Sequence, residues 1–491
     1  MSITSTFVNA LSGLGATGRQ AGIASNNLAN ALTKGYARQS VDVSSSVLGG
    51  IGSGVRVVGV SRAAAPDLTA ARRDADADAA TIDPQASALD RLGRSLGEAT
   101  SDDGLFRRLE TFETALRLFA ETPEAEARQI QTVDAARDMV SMLNDLSTEA
   151  STVRQNADAT IAAQVATVNR NVEQIDSLNA KITRLSVGGR DVASLIDERE
   201  RLIDEVNAIL PIRTHARENN TVHLTTAQGV FLLAEEPVPL TFTQSPIITA
   251  PMSFVPGGGG ALSGLTLGNL DITPGGTQPQ RVTKGALAGN FAVRDEIGVE
   301  FNSRIDQFAA DLIQRFEDPT VDPTLAVGDP GLFTDNGGAL DLTTIEGLAG
   351  DIQVNALPDP AQGGDPSLLR DGLQALAAGP SGSDTIPRAM LDALTAARSA
   401  AAIPGVSGNL SAAQMISGIV QVQGVLRTDA ETELSGLTTT REALANTEAE
   451  TIGVNTDKEL QDLILIEQAF SANLQVIQTA SRMLQEISEI R

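Results

Sequence analysis

The chain has 491 residues, is 42% hydrophobic and carries a formal net charge of -26, so it can hold several cored domains but argues against binding nucleic acid through phosphate contacts. It has no Trp and one Tyr, which leaves no platform for base stacking, and no Cys, which removes disulfides, thiolate metal sites and Cys nucleophiles. No run approaches the ~20 apolar residues of a membrane-spanning helix, and the first basic residue is Arg19, so the N-terminus does not read as a cleaved leader.

The first predicted element is a helix over 3–31. Ile3, Phe7, Ala10, Leu14, Thr17, Ala21, Ala24, Leu28 and Ala31 fall at alternating spacings of four and three. Such a stripe needs a partner helix to cover it. Gly35 is a helix stop, and two β-rich runs follow, Val41 to Val47 and Val55 to Val60. Gly49 to Gly54 between them reads as a hairpin connection.

Residues 66–210 read as helical. One apolar stripe is Leu105, Leu109, Phe112, Leu116 and Phe119, with a break at Pro123. A second is Val133, Ala136, Val140 and Leu143. A third is Ile161, Val165, Val168, Val172, Ile175 and Ile182, on a helix of its own that ends at Gly188-Gly189. Ile196, Leu202, Ile203, Val206 and Leu210 give a fourth, before Pro211. These stripes suit an elongated antiparallel bundle.

From 211 to 283 the pattern alternates around Thr221 to Thr225, with turn-like Glu218-Asn219-Asn220 and a Gly run at 257–260, which predicts a small β domain. Helical pattern returns over 284–317 on Phe301, Ile305, Phe308, Leu312 and Phe316. Residues 318–387 are rich in Pro, Gly and Asp and read as loop-heavy with short strands. A helical block from 388 leads to the last helix.

That last helix carries two apolar seams. Ile466, Ala469, Asn473, Val476, Ala480, Met483, Ile487 and Ile490 form one; Leu460, Leu463, Phe470, Leu474, Ile477 and Leu484 form the other, interrupted by Glu467 and Ser481. With two seams the helix can meet more than one neighbour. Without a partner, both ends of the chain are expected to be frayed.

Three motifs have bland readings that outweigh the sharp ones. Gly13-Leu14-Gly15-Ala16-Thr17-Gly18 matches a dinucleotide fingerprint, but no strand precedes it and the heptad runs through it; small residues for close helix packing explain it better. Asp74-Ala75-Asp76-Ala77-Asp78 resembles the start of a calcium loop, but Ala79 stands where the turn glycine belongs, so a solvated helix face is the better reading. His215 and His223 lie in the β region and read as surface strand residues. No cofactor, metal site or catalytic constellation is indicated, and the chain is not expected to be an enzyme.

Asn27-Leu28-Ala29-Asn30, then Thr33, then Gly35-Tyr36, is similar to the N-terminal signature of the flagellar axial proteins of rod and hook. Gly453-Val454-Asn455 and the run Ala472 to Thr479, ending at Ile490-Arg491, resemble the closing helix of that family. Within it, Gly35 to Gln39, Leu195 to Asn207 and Lys284 to Gly289 resemble the hook-associated branch. The resemblance implies a structural part of the bacterial flagellum at the junction of hook and filament. Such a part is exported unfolded by the flagellar type III secretion apparatus with an export chaperone. It meets copies of itself, hook protein and a second hook–filament junction protein. It implies an extracellular place in the flagellum, with a cytoplasmic stage before export and no membrane insertion. Another axial protein such as hook protein, or an extracellular coiled-coil adhesin, is the alternative.

The expected architecture is mainly α with β insertions, elongated and coaxial, with terminal coiled-coil helices, a long helical bundle and a small inserted β domain. Its parts are 1–65 with 446–491 for polymerisation, 66–210 with 284–317 and 388–445 for the bundle, 211–283 for the β domain, and 318–387 as an extension. The residues expected to pack between subunits are Ile3, Phe7, Leu14, Ala21 and Leu28, then Leu463, Ile466, Phe470, Leu474, Val476, Ile477, Met483, Leu484 and Ile487.

Overall fold

A computed structural model of the chain describes residues 3–33, 35–48, 51–97, 103–188 and 190–489. Of the positions named above, Gly49, Gly50, Gly189, Ile490 and Arg491 lie outside the described residues. Helix α1 (Ile3–Ala29) precedes strands β1 (Gln39–Leu48) and β2 (Ile51–Arg62). Helices α2 (Pro66–Leu96), α3 (Leu105–Glu121), α4 (Glu126–Val187) and α5 (Ala193–Ile209) follow. Then come short strands β3 (Ile212–Ala216), β4 (Val222–Thr226), β5 (Phe231–Leu233), β6 (Leu240–Thr241), β7 (Thr266–Leu267) and β8 (Leu270–Asp271). Helix α6 (Ala286–Ala292) runs through one π turn (Val293–Ile297) into α7 (Gly298–Phe316). Next are β9 (Phe333–Asp335), α8 (Leu348–Asp351), β10 (Ile352–Val354), α9 (Leu368–Asp371), α10 (Thr385–Thr395), β11 (Arg398–Ser399) and β12 (Asn409–Leu410). Helices α11 (Ala412–Ile452) and α12 (Thr456–Glu489) close the order. The fold is mainly α with small β insertions.

The chain forms two compact units with interleaved ranges. The first takes 1–79, 166–240 and 437–491; the second takes 80–165 and 241–436. The expected β segment 211–283 is therefore divided rather than kept as one domain. The cause is visible along α4. Asn169 holds both backbone groups of Leu240, at 2.8 and 2.9 Å, while Gln155 and Asp158 hold those of Ser245, at 2.9 and 2.8 Å.

In the first unit β1 and β2 form an antiparallel hairpin from Gln39↔Arg62 to Leu48↔Ile51. The ladder extends further than the expected connection over Gly49 to Gly54. Two register shifts let it take in Gly52 opposite Val47. Strands β3, β4 and β5 make a second antiparallel sheet that buries Val222, Leu224, Leu232 and Leu233. Helix α5 buries Leu202, Ile203 and Val206, and Asn207 ties it to α2 by donating to the Arg73 carbonyl at 2.7 Å. Arg72 meets Asp76, Asp204 and Glu448, and Arg73 meets Asp204 and Glu200, so charges join α2, α5 and α11. The terminal helices, expected to fray, are formed and pack on each other.

The second unit holds the larger core. Leu105, Leu109, Phe112, Leu116 and Phe119 are all buried, as are Val133, Ala136, Val140 and Leu143. Phe301, Ile305, Phe308, Leu312 and Phe316 complete it from α7. The stretch 318–387 packs into this core: Phe333 sits 5.5 Å from Phe112 and 5.0 Å from Phe316, ring centre to ring centre. One expectation is corrected here. The stripes at 133–143 and 161–182 lie on one helix of 62 residues, because no Gly or Pro interrupts Glu126–Val187.

A polar node lies inside the second unit. Arg294 and Asp158 are fully buried and paired at 2.8 Å. Arg294 also forks onto Asp295, at 2.8 Å on each oxygen, and its guanidinium lies 4.7 Å from the Phe291 ring centre. Arg154 finds no carboxylate there; carbonyls of Arg294, Thr249, Ala250 and Met252 take its donors. Every ion in this node is hydrogen-bonded, which is the condition for burying it.

Candidate assembly site

Helices α1 and α12 run antiparallel, since Asn27 meets Glu459 at one end while Gly13 meets Asn473 farther along. At Gly13 a Cβ would stand 2.8 Å from the Asn473 side-chain oxygen, so a larger residue would require the Asn473 amide to move aside. The glycines of the dinucleotide-like run thus lie within a helix. Ala10, Ala16, Thr17 and Ala24 are buried on α1, and the expected positions Ile3, Phe7, Leu14, Ala21 and Leu28 are half-buried.

The signature residues build a clamp at the end of α1. Asn27 is 1% exposed and fully bonded. Its amide nitrogen donates to the Gln39 carbonyl at 2.8 Å and to Glu459 at 3.1 Å. Its amide oxygen accepts from the Gln39 N–H at 3.0 Å and from the Tyr36 hydroxyl at 2.9 Å. Glu459 is buried too, and Arg38 Nε donates to it at 2.6 Å. Arg38 also donates its backbone N–H to the Ile452 carbonyl, at 2.8 Å. One side chain therefore joins α1, the start of β1 and α12. Asn30 and Thr33 close the last turn of α1, and Gly35, at φ 82°, takes the left-handed conformation that turns the chain back. Ala29 is exposed.

Only part of α12 is covered. Leu463, Ile466, Asn473 and Ile477 are half-buried and Ala480 is buried. Phe470, Leu474, Val476, Met483, Leu484 and Ile487 are exposed, as are Leu460, Ile464 and Leu465. The face turned to α1 therefore takes residues from both expected seams. It runs Glu459, Leu463, Ile466, Phe470, Asn473, Ile477, Ala480, at unbroken spacings of four and three. Val8 and Leu11 of α1, and Val43, Val47 and Val58 of the hairpin, add to the exposed apolar surface of this unit. Soluble monomers seldom carry so many large apolar groups together without a partner to cover them.

Glu459 is the clamp residue missed in the sequence, while Arg38 and Gln39, noted there only within the run Gly35 to Gln39, gain their contacts here. Asn455 is another contributor: its side chain accepts the Lys458 N–H at 3.0 Å and caps α12. Asp74, Asp76 and Asp78 lie on α2, with Asp76 paired to Arg72. His215 bonds Thr225 at 3.0 Å, and His223 lies edge-on to Phe231. Among the described residues no cluster could hold a metal ion, and no helix is long and apolar enough to cross a membrane.

Comparison with known proteins places these features. Residues 89–321 match the family model of the flagellar hook-associated protein FlgK helical domain, and residues 448–490 match that of the flagellar basal body rod FlgEFG protein C-terminal region. Both segments are thus similar to flagellar axial proteins. Flagellar hook-associated protein 1 of Escherichia coli K12 is 25% identical over 323 residues, covering 64% of this chain and 56% of that protein. Its counterpart in Salmonella typhimurium LT2 is 27% identical over 238 residues, covering 47% and 43%. That of Bacillus subtilis 168 is 27% identical over 242 residues, covering 46% and 48%. The chain spans about half the length of the curated relatives it matches. The flagellar hook junction protein FlgK of Burkholderia pseudomallei overlays with a TM-score of 0.43 at 17% identity, over 56% of this chain and 47% of that one.

The clamp makes a spectroscopic prediction. Burial first, then the charges of Asp197, Glu459 and Asp191, push the Tyr36 phenol from 10.0 up to about 12. The folded state then holds this proton more tightly than the unfolded state. Its contribution to stability is intact below the unfolded value and is lost as pH rises from there through the folded value. Tyr36 is the only Tyr and Trp is absent, so tyrosinate absorbance reads this site alone. A rapid pH jump should give a midpoint near 12 for the native chain and near 10 in denaturant. A native midpoint near 10 would refute the closed clamp.

Proposed function

We propose that this chain is a structural subunit of the bacterial flagellum, standing at the junction of hook and filament and serving as the platform on which the filament is built. It does no catalysis. It polymerises with copies of itself through α1 and α12, contacts hook protein on one side and a second junction protein on the other, and reaches this extracellular place from the cytoplasm through the flagellar export apparatus, escorted by a chaperone. The observation that carries this reading is the exposed apolar surface of α12, on the segment similar to the rod protein C-terminal region. A helix that keeps Leu460, Ile464, Leu474 and Met483 outside, while its inner face is already taken by α1, has surface left for neighbouring subunits.

The test is genetic. Cells lacking this chain should build hooks, secrete flagellin and lose it to the medium, leaving no filaments. Filaments of ordinary length on such cells would remove the proposal.

A further inference from the structure

A cavity of about 390 Å³ opens in the second unit, between α2, the π turn after α6 and the loops around Phe254 and Pro274. Its size is that of a small-ligand site. Phe254, Pro256, Pro274 and Phe291 supply an apolar wall, and Asp295 and Glu296 stand at its edge. The π turn Val293–Ile297 sets those two carboxylates there, and turns of this kind collect at functional positions.

The two carboxylates are not equivalent. Asp295 is committed to Arg294, which donates to both of its oxygens. Glu296 is exposed and has no ion-pair partner among the described residues. Arg281, the one cation in the lining, donates instead to the Gln278 carbonyl at 3.3 Å. An uncommitted negative charge beside an aromatic and proline wall suits a positive head on an apolar stem. Burial, with the charges of Asp295 and Glu300 behind it, also raises the Glu296 pKa, a cost that a bound cation relieves.

We propose that this cavity binds an alkylammonium or alkylguanidinium group, with its stem on Phe254 and Pro274 and its head on Glu296. Two sources share that chemistry: a free polyamine, and a Lys or Arg side chain of another protein. The inference is independent of the place in the flagellum proposed above, and its test does not need assembly.

The experiment uses the purified full chain and saturation-transfer NMR with agmatine, with N-acetyl-arginine methylamide, and with pentanol as a neutral stem. Both cations should bind and pentanol should not. Binding of agmatine alone supports a free polyamine, and binding of the arginine amide as well supports a protein side chain. Glu296→Gln should weaken the cations about ten-fold, the loss expected for one charge-assisted hydrogen bond. Its melting temperature should not fall, because Glu296 makes no ion pair among the described residues and its charge stands beside those of Asp295 and Glu300. The proposal is overturned if neither cation binds below about 10 mM, a level too weak for a specific site. It is overturned equally if pentanol binds as well as they do, or if Glu296→Gln binds like the parent chain.

Discussion

Leu474→Asp should leave the isolated chain folded and stop it assembling. Leu474 stands on the flank of α12, 37% exposed, while the face turned to α1 is carried by Leu463, Ile466, Asn473, Ile477 and Ala480. In the monomer the new carboxylate keeps access to water and costs much less than a buried charge. In a polymer that covers this flank it is buried without a counter-ion, at about 3–5 kcal/mol per subunit. That cost recurs in every subunit, so a closed assembly fails. The measurements are thermal melting of the purified variant and filament counts on cells that express it. Normal filaments, or a monomer that melts far below the parent, would mean that this flank is not an assembly surface.

Asp158→Ala should strike stability instead. Asp158 and Arg294 are both fully buried, and Asp158 also accepts the Ser245 N–H. Removing the carboxylate strands a guanidinium in the protein interior. Breaking such a pair costs about 3–5 kcal/mol. Asp295 still holds the other side of Arg294, which sets the expectation at the lower end, about 3 kcal/mol. For a unit of this size that lowers the melting temperature by roughly 5 °C. Asp158→Asn keeps the acceptor for Arg294 but not the charge, so it should fall between the two. A melting temperature within a degree of the parent for Asp158→Ala would show that the node carries no stability.

The local patterns were legible and the long-range choices were not. The stripe Leu105 to Phe119 and the stripe Phe301 to Phe316 gave their helices and their buried faces together, because period and burial coincide there. The single helix Glu126–Val187 was hidden because the buried face between its two stripes is carried partly by Ser147, Arg154 and Asp158, which do not read as core residues. Composition misled at 318–387, where Pro and Gly dictate loops but say nothing of Phe333, which enters the core between Phe112 and Phe316. On α12 the continuous series from Glu459 to Ala480 was present in the sequence. It was split because Glu459 and Asn473 do not look like core residues until α1 brings Asn27 and Gly13 against them. The signature itself was visible, but its partners are 12 residues on at Gln39 and 432 on at Glu459, and no local rule connects them.

The interleaving of the two units also sets an order of events during translation. Asn27 leaves the ribosome 432 residues ahead of its partner Glu459. Until then the amide of Asn27 has only Gln39 and Tyr36, and α1 has no α12 to lie on. The second unit, drawn from 80–165 and 241–436, has all its segments before the first one does. The first unit thus matures after the second, and α1 stays without its partner helix until α12 has been made.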